Sequence, residues 1–281
     1  MRVDIGTLGI WAHGSALDAG VAREVERLGY GAIWIGGSPD GDLALVDELL
    51  GATEQLAVAT GIVNVWKDSA RTVAASHRRI TEQFPRRFLL GIGVGHPEAT
   101  REYRTPYTAL VEYLDVLDGE GVPIDERVLA ALGPKVLRLS ADRTAGAHPY
   151  LVPPEHTRQA RHLLGPDAVL APEHKVVLDP DPVAARALGR PRVEKPYLGL
   201  RNYVTNLRRL GFSDEDLAGG GSDALIDALV AHGDDATAAA QVREHVAAGA
   251  DHVAVQLLRP EGTDPLPLYA RFAEAFAAVT A

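Results

Sequence analysis

Eight short, nearly continuous apolar runs recur along the chain, at 5–11, 32–36, 56–65, 88–94, 127–132, 148–152, 174–179 and 252–258. Strands covered by protein on both faces read this way, because neither face needs polar side chains. Between them lie segments with apolar residues at helical spacing: "LDAGVAREVERLGY", "LALVDELLGATEQ", "ARTVAASHRRITEQF", "YTALVEYLDVLDG", "PKVLRLSADRTAG" and "PEHTRQARHLLG". Several close on glycine, as helix C-termini commonly do. Eight strands alternating with helices in 281 residues favour a single α/β (β/α)8 TIM barrel over an open, doubly wound sheet. The stretch from about 182 to 248 is less regular and carries a "GGGSD" turn at 219–223. It reads as a helical insertion before the last strand. No linker divides the chain, so one domain over 1–281 is expected.

Composition narrows the function. The net charge of -10, with no basic stripe, argues against a nucleic-acid partner. No apolar run approaches membrane-spanning length, and "MRVDIGTLGI" lacks a signal-peptide pattern, which makes a cytoplasmic location the expectation. With no cysteine, disulfides, thiolate metal sites and Cys nucleophiles are excluded. No His or carboxylate cluster suggests a metal. The expected partner is a small-molecule substrate.

In such barrels the chemistry lies at the carboxyl ends of the strands. Those ends carry Trp11 and His13, then Gly36, Gly37 and Ser38, then Asn64 and Trp66, Gly95 and His96, Leu132 and Gly133, Tyr150, and Gln256 on the last strand. Trp11, His13, Trp66 and Gln256 are expected to line a substrate pocket. The rim lacks paired carboxylates and a nucleophile elbow, so it suits a planar cofactor that brings its own chemistry. In "FLLGIGVGH", Gly91, Gly93 and Gly95 follow the two-residue period of a strand, not the G-x-G-x-x-G spacing of a dinucleotide turn. A strand face without side chains lets a flat ring approach, and at position 95 a strand would tolerate valine. His96 ends that strand, and an unperturbed pKa of about 6.5 suits a catalytic proton donor or acceptor. Trp34, mid-strand, is expected to be a packing residue, and Asn64 reads equally as a turn cap or a cofactor contact.

The stretch "TGIVNVWKDSARTVAASHRRITEQFPRRFLLGIGVGH" resembles the strand-three to strand-four region of the luciferase-like flavin and deazaflavin enzymes. "LGPKVLRLSADRTAGAHPYLVPPEHTRQARHLLGP" is similar to the later part of their coenzyme F420-dependent branch, and "LGYGAIWIG" and "AGADHVAVQLL" fit strands two and eight. The resemblance implies a barrel, usually a homodimer, that binds F420 or FMN at its mouth and transfers hydride. It places a strand-three bulge, often with a non-proline cis peptide, at Gly61–Ile62, with Val63 and Asn64 beside the ring. It assigns ring contacts to Gly93, Gly95 and His96, and phosphate contacts to Ala130, Ala131, Leu132 and Gly133, then Tyr150, Leu151 and Val152.

Departures from that pattern bear on the reaction. Members that oxidise sugar phosphates carry an Asp-His pair after strand two and a glutamate after strand four, where this chain has Gly36–Gly37 and His96. The usual proline after the strand-three asparagine is Val65. An F420-dependent oxidoreductase acting on a small organic substrate is therefore expected. An FMN-dependent monooxygenase and a non-catalytic cofactor-binding barrel are the alternatives.

Overall fold

The structure is a computed structural model that describes residues 2–95 and 105–279. Its strands are β1 Leu8–His13, β2 Ala32–Gly36, β3 Ala57–Thr60, β4 Val63–Asn64, β5 Phe88–Gly93 and β6 Arg127–Leu129. They continue with β7 Gly146–Ala147, β8 Val169–Leu170, β9 Glu173–Val177, β10 Val230–His232 and β11 Val253–Leu257. All pairings between them are parallel, in the order β10-β9-β11-β1-β2-β3-β5-β6-β7-β8, with β4 beside β5.

The sheet closes on itself because β8 and β9 form one stave bent at Ala171–Pro172. On one side Ala171 N donates to Ala147 O (2.9 Å) and Glu173 N to Pro149 O (2.8 Å). On the other, Asp251 N donates to Leu170 O and Ala254 N to Pro172 O, both at 2.9 Å. With β3 and β4 also counted as one stave, β1, β2, β3–β4, β5, β6, β7, β8–β9 and β11 make the expected eight-stave α/β barrel.

The third stave is bulged where the sequence places it. Val58 pairs with Phe88, an offset of 30, whereas Val63 pairs with Ile92, an offset of 29, so one extra residue lies between. The Gly61–Ile62 peptide within it is cis.

Side chains alternate across the staves as period two requires. Outward residues such as Ile10, Ile33, Ile35, Val58, Phe88 and Leu90 join the helices in the main core. Inward positions are mostly small: Ala32, Ala57, Ala59, Ala145, Ala171 and Ala254 surround the fully buried indole of Trp34. That indole fills the space the alanines leave, as its mid-strand position suggested.

Two strand assignments shift. The sixth stave is Gly146–Ala147, not 148–152, because Leu151 turns the chain at φ 54. The seventh begins at Val169. The stretch after β9 holds helices at Pro182–Glu194, Arg201–Arg209, Asp214–Leu217, Asp223–Leu229 and Asp235–Ala247, plus the short β10 that the sequence did not announce. No helix among the described residues is long and apolar enough to cross a membrane.

Candidate active site

A cavity of about 710 Å³ opens at the carboxyl ends of the staves. Its floor is built around Trp11 near the end of β1. A Cβ at Gly36 would lie 2.1 Å from the Trp11 ring, and one at Gly61 would lie 2.8 Å from Trp11 Nε1. Two glycines on neighbouring staves thus make room for one indole, which also meets Tyr150 with ring centroids 5.3 Å apart.

His148, just past β7, completes the floor. Its ring stacks on Trp34, and its Nδ1 lies 2.6 Å from Ala171 O, to which only an N–H can bond. Burial pushes its pKa down to about 4, so at neutral pH the Nδ1 proton stays and Nε2 is a bare acceptor. Nε2 lies 3.3 Å from where a Gly61 Cβ would stand. Trp11 Nε1, Trp66 Nε1 and His148 Nε2 are buried and have no hydrogen-bond partner among the described residues. Orphaned buried polar atoms of this kind call for a partner from a ligand or a water.

His13 caps a short 3-10 turn: Ser15 N donates to its Nδ1 (3.2 Å), which leaves the neutral-form proton on Nε2. That nitrogen faces Gly37, where a Cβ would stand 2.3 Å away. Asn64 acts as the turn cap expected of it. Its Oδ1 accepts from Trp66 N at 3.0 Å, and it lines the cavity beside Gly95.

Beneath the tyrosines on one wall lies a fully buried ion pair, Lys175 Nζ to Glu173 Oε1 at 3.0 Å. Lys175 also sits over the Tyr150 ring, 4.1 Å from its centroid. Glu173 Oε2 accepts from Leu151 N (3.0 Å) and holds that residue in its left-handed turn. Tyr150 Oη donates to Gln256 Oε1 at 3.0 Å. Burial pushes the phenols upward, Tyr150 and Tyr203 well above the ordinary range and Tyr197 to about 12. They keep their protons near neutral pH.

Of the residues expected at the site, Trp11, His13, Gly61, Ile62, Asn64, Trp66, Gly95, Ala130, Ala131, Leu132, Gly133 and Tyr150 line this one cavity. Five do not. Val63 is buried in the main core, and Leu151 in the core under the insertion. Val152 is also fully buried, and Gln256 reaches the wall only through Tyr150. Gly93 corrects the glycine argument. A Cβ there would meet the Ile62 side chain at 2.9 Å and Ala130 Cβ at 3.0 Å, and one at Gly91 would lie 1.9 Å from Thr60 O. These two glycines admit the bulged third stave, not a ligand. Gly95 lines the cavity, but beyond the strand and at φ +57, so the tolerance of valine expected there does not hold. His96 lies outside the described residues.

Sequence reasoning missed His148, although it stands two residues before Tyr150, the spacing that puts residues on one face. It also missed Tyr197, Asn202 and Tyr203, which the insertion brings to the cavity wall. Nothing local marks them, because their place depends on how the insertion folds back.

At the far end, the helix Pro134–Arg143 opens on Gly133 with no side-chain cap. Arg209 Nη1 lies 3.9 Å from where a Gly133 Cβ would stand, and Lys135 Nζ lies 3.7 Å from the Tyr107 ring centroid.

No protein-family model and no curated protein sequence matches the chain. Solved structures do. An F420-dependent secondary alcohol dehydrogenase in complex with an F420–acetone adduct superposes with TM-score 0.72 at 14% identity over 100% of both chains. The coenzyme F420-dependent tetrahydromethanopterin reductase from Methanopyrus kandleri gives 0.68 at 16%, over 99% of each. The oxygenating constituent of 3,6-diketocamphane monooxygenase from Pseudomonas putida, in complex with FMN, gives 0.68 at 13%, over 98% of this chain and 100% of that one. The chain therefore has the barrel fold common to these deazaflavin and flavin enzymes, in agreement with the luciferase-like resemblance of its sequence.

Proposed function

We propose that the protein is an oxidoreductase that binds F420 at the barrel mouth and transfers hydride between it and a small organic substrate. The observation that carries this reading is the set of three buried nitrogens of Trp11, Trp66 and His148, unpartnered among the described residues, on a cavity wall that also presents Tyr107, Tyr150, Tyr197 and Tyr203. Such a wall suits a flat heterocycle with hydrogen-bonding edges and no charge to neutralise. When bound, the deazaflavin supplies the hydride chemistry that no side chain here provides.

The work left to the chain is binding, orientation and proton handling. Gly61 and Ile62 back the ring position, with Trp11 and Tyr150 beside it. The uncapped amides at Gly133 and the helix behind them, with Arg209 and Lys135 close by, suit a phosphate. His13 Nε2, on the cavity rim, and His96 are the candidate proton donors.

FMN is the second reading, because a structure with FMN bound matches as well as one of the F420 enzymes. Equilibrium titration with F420 and with FMN, followed by turnover with whichever binds, tests both. A protein that binds neither is not an oxidoreductase of this kind. A homodimer is proposed from the same resemblance, and a monomer mass by light scattering at micromolar concentration would remove it.

A further inference from the structure

The floor of the cavity places a pure donor and a pure acceptor close to one bare Cα, that of Gly61. Trp11 Nε1–H can only donate. His148 Nε2 can only accept while Nδ1–H is committed to Ala171 O. Both nitrogens lie within 3.3 Å of the position a Gly61 side chain would take, and neither has a partner among the described residues. His148 is fixed in this orientation by its stack on Trp34 and has 1% exposure, so it is a built group and not a mobile surface imidazole.

We infer that Trp11 and His148 form a two-point subsite for the imide edge of the bound ring, Trp11 donating to a ring carbonyl and His148 accepting from the adjacent ring N–H. Flavins and deazaflavins share this edge, an N–H flanked by carbonyls, so the inference rests on the functional reading above but does not depend on which cofactor is used. It fixes the direction of the ring: the pyrimidinedione end points down toward Gly61, and the other end faces the mouth. A substrate hydroxyl or a trapped water could serve the same two nitrogens, and the test separates them from the ring edge.

The test compares each cofactor with its N3-methyl derivative, which keeps the carbonyls and loses the N–H. Fluorescence titration of the wild-type protein with FMN, F420 and their N3-methyl forms should show the methylated ligand binding about ten-fold or more weakly, since it strands a buried acceptor. In His148→Ala the acceptor is gone and the methyl group has room, so the ratio should fall toward one. Trp11→Phe should weaken both ligands by a similar factor and leave the ratio as in the wild type.

Equal affinity of methylated and unmethylated ligand for the wild type, with F420 or FMN binding tightly, overturns the subsite and leaves the functional reading intact. Failure of both cofactors to bind overturns both. Thermal melts control for folding of the variants. If His148→Ala does not fold, the wild-type ligand pair still decides.

Discussion

The imidazole of His148 lies against the indole of Trp34 with ring centroids 4.0 Å apart and planes 12° from parallel. Trp34 is itself held by Nε1–H donating to His252 Nε2 at 3.0 Å. Two neutral histidines thus pack around one tryptophan in the barrel interior, and burial makes each of them costly to protonate.

That arrangement makes stability depend on pH. Burial pushes His77, His148, His174 and His252 down to about 4, and His245 well below its ordinary value. The unfolded chain takes up these protons near pH 6.5, whereas the first four histidines take them up in the folded chain only near 4, so stability is fully present above about 6.5 and falls as pH drops toward 4. Each such histidine adds a slope of up to about 1.4 kcal/mol per pH unit in that window. Urea unfolding at pH 7.5, 6.5 and 5.5 should show a steep loss over the last step. A flat profile would mean that the histidines are not buried as described.

The ion pair of Glu173 and Lys175 should be costly to break from one side. Lys175→Met leaves a fully buried carboxylate that keeps the hydrogen bond from Leu151 N but has lost its counter-charge, at a cost of roughly 3–5 kcal/mol. Lys175→Met with Glu173→Gln should recover much of that loss. Denaturant midpoints of the single and double variants check this, and a single variant as stable as the parent would contradict it.

Glycine substitutions separate backbone strain from ligand contact. Gly95→Ala forces a side chain at φ +57 against Asn64 Nδ2, 2.5 Å away, and should cost about 1–2 kcal/mol in the cofactor-free protein. Gly61→Ala must displace Trp11 and crowd His148, so it should lower cofactor affinity by more than its effect on the melting temperature implies. Melts with and without cofactor distinguish the two patterns.

The far end of the cavity predicts a phosphate contribution. Arg209→Gln should weaken FMN and leave riboflavin, which lacks the phosphate, nearly unchanged. The difference should shrink at high salt, because the interaction is one of exposed charge. Equal effects on both ligands would place the phosphate elsewhere.

The barrel was legible because its staves are covered on both faces, so "AIWIG" and "FLLGIG" could hardly be anything else. The bulge came from resemblance, and the register shift between Val58 and Val63 confirms it. The rim residues followed from the rule that strand ends face the site, and Trp11, Asn64 and Tyr150 do line the cavity there. What failed was any inference needing the third dimension. Glycine alternation in β5 serves the neighbouring stave, a fact invisible without Thr60 and Ile62 in place. Tyr197 and Tyr203 reach the wall only because the insertion folds back, and His148 shows its value only once the Nδ1 partner on another stave is known.

The ring of hydrogen bonds is made by the staves up to β9 together with β11, and no bond in it comes from residues 182–229. Residues 182–229 then gather a buried set of their own, including Val193, Leu207, Leu225 and Ile226. One wall of the cavity is therefore hung on a finished barrel. Its sequence can drift, lengthen or be exchanged without reopening the cylinder, while the floor of Trp11, Gly61 and His148 stays under the constraint of closure. A graft of this segment between barrels of the same shape should carry the wall of Tyr197, Asn202 and Tyr203 with it and leave the floor as it was.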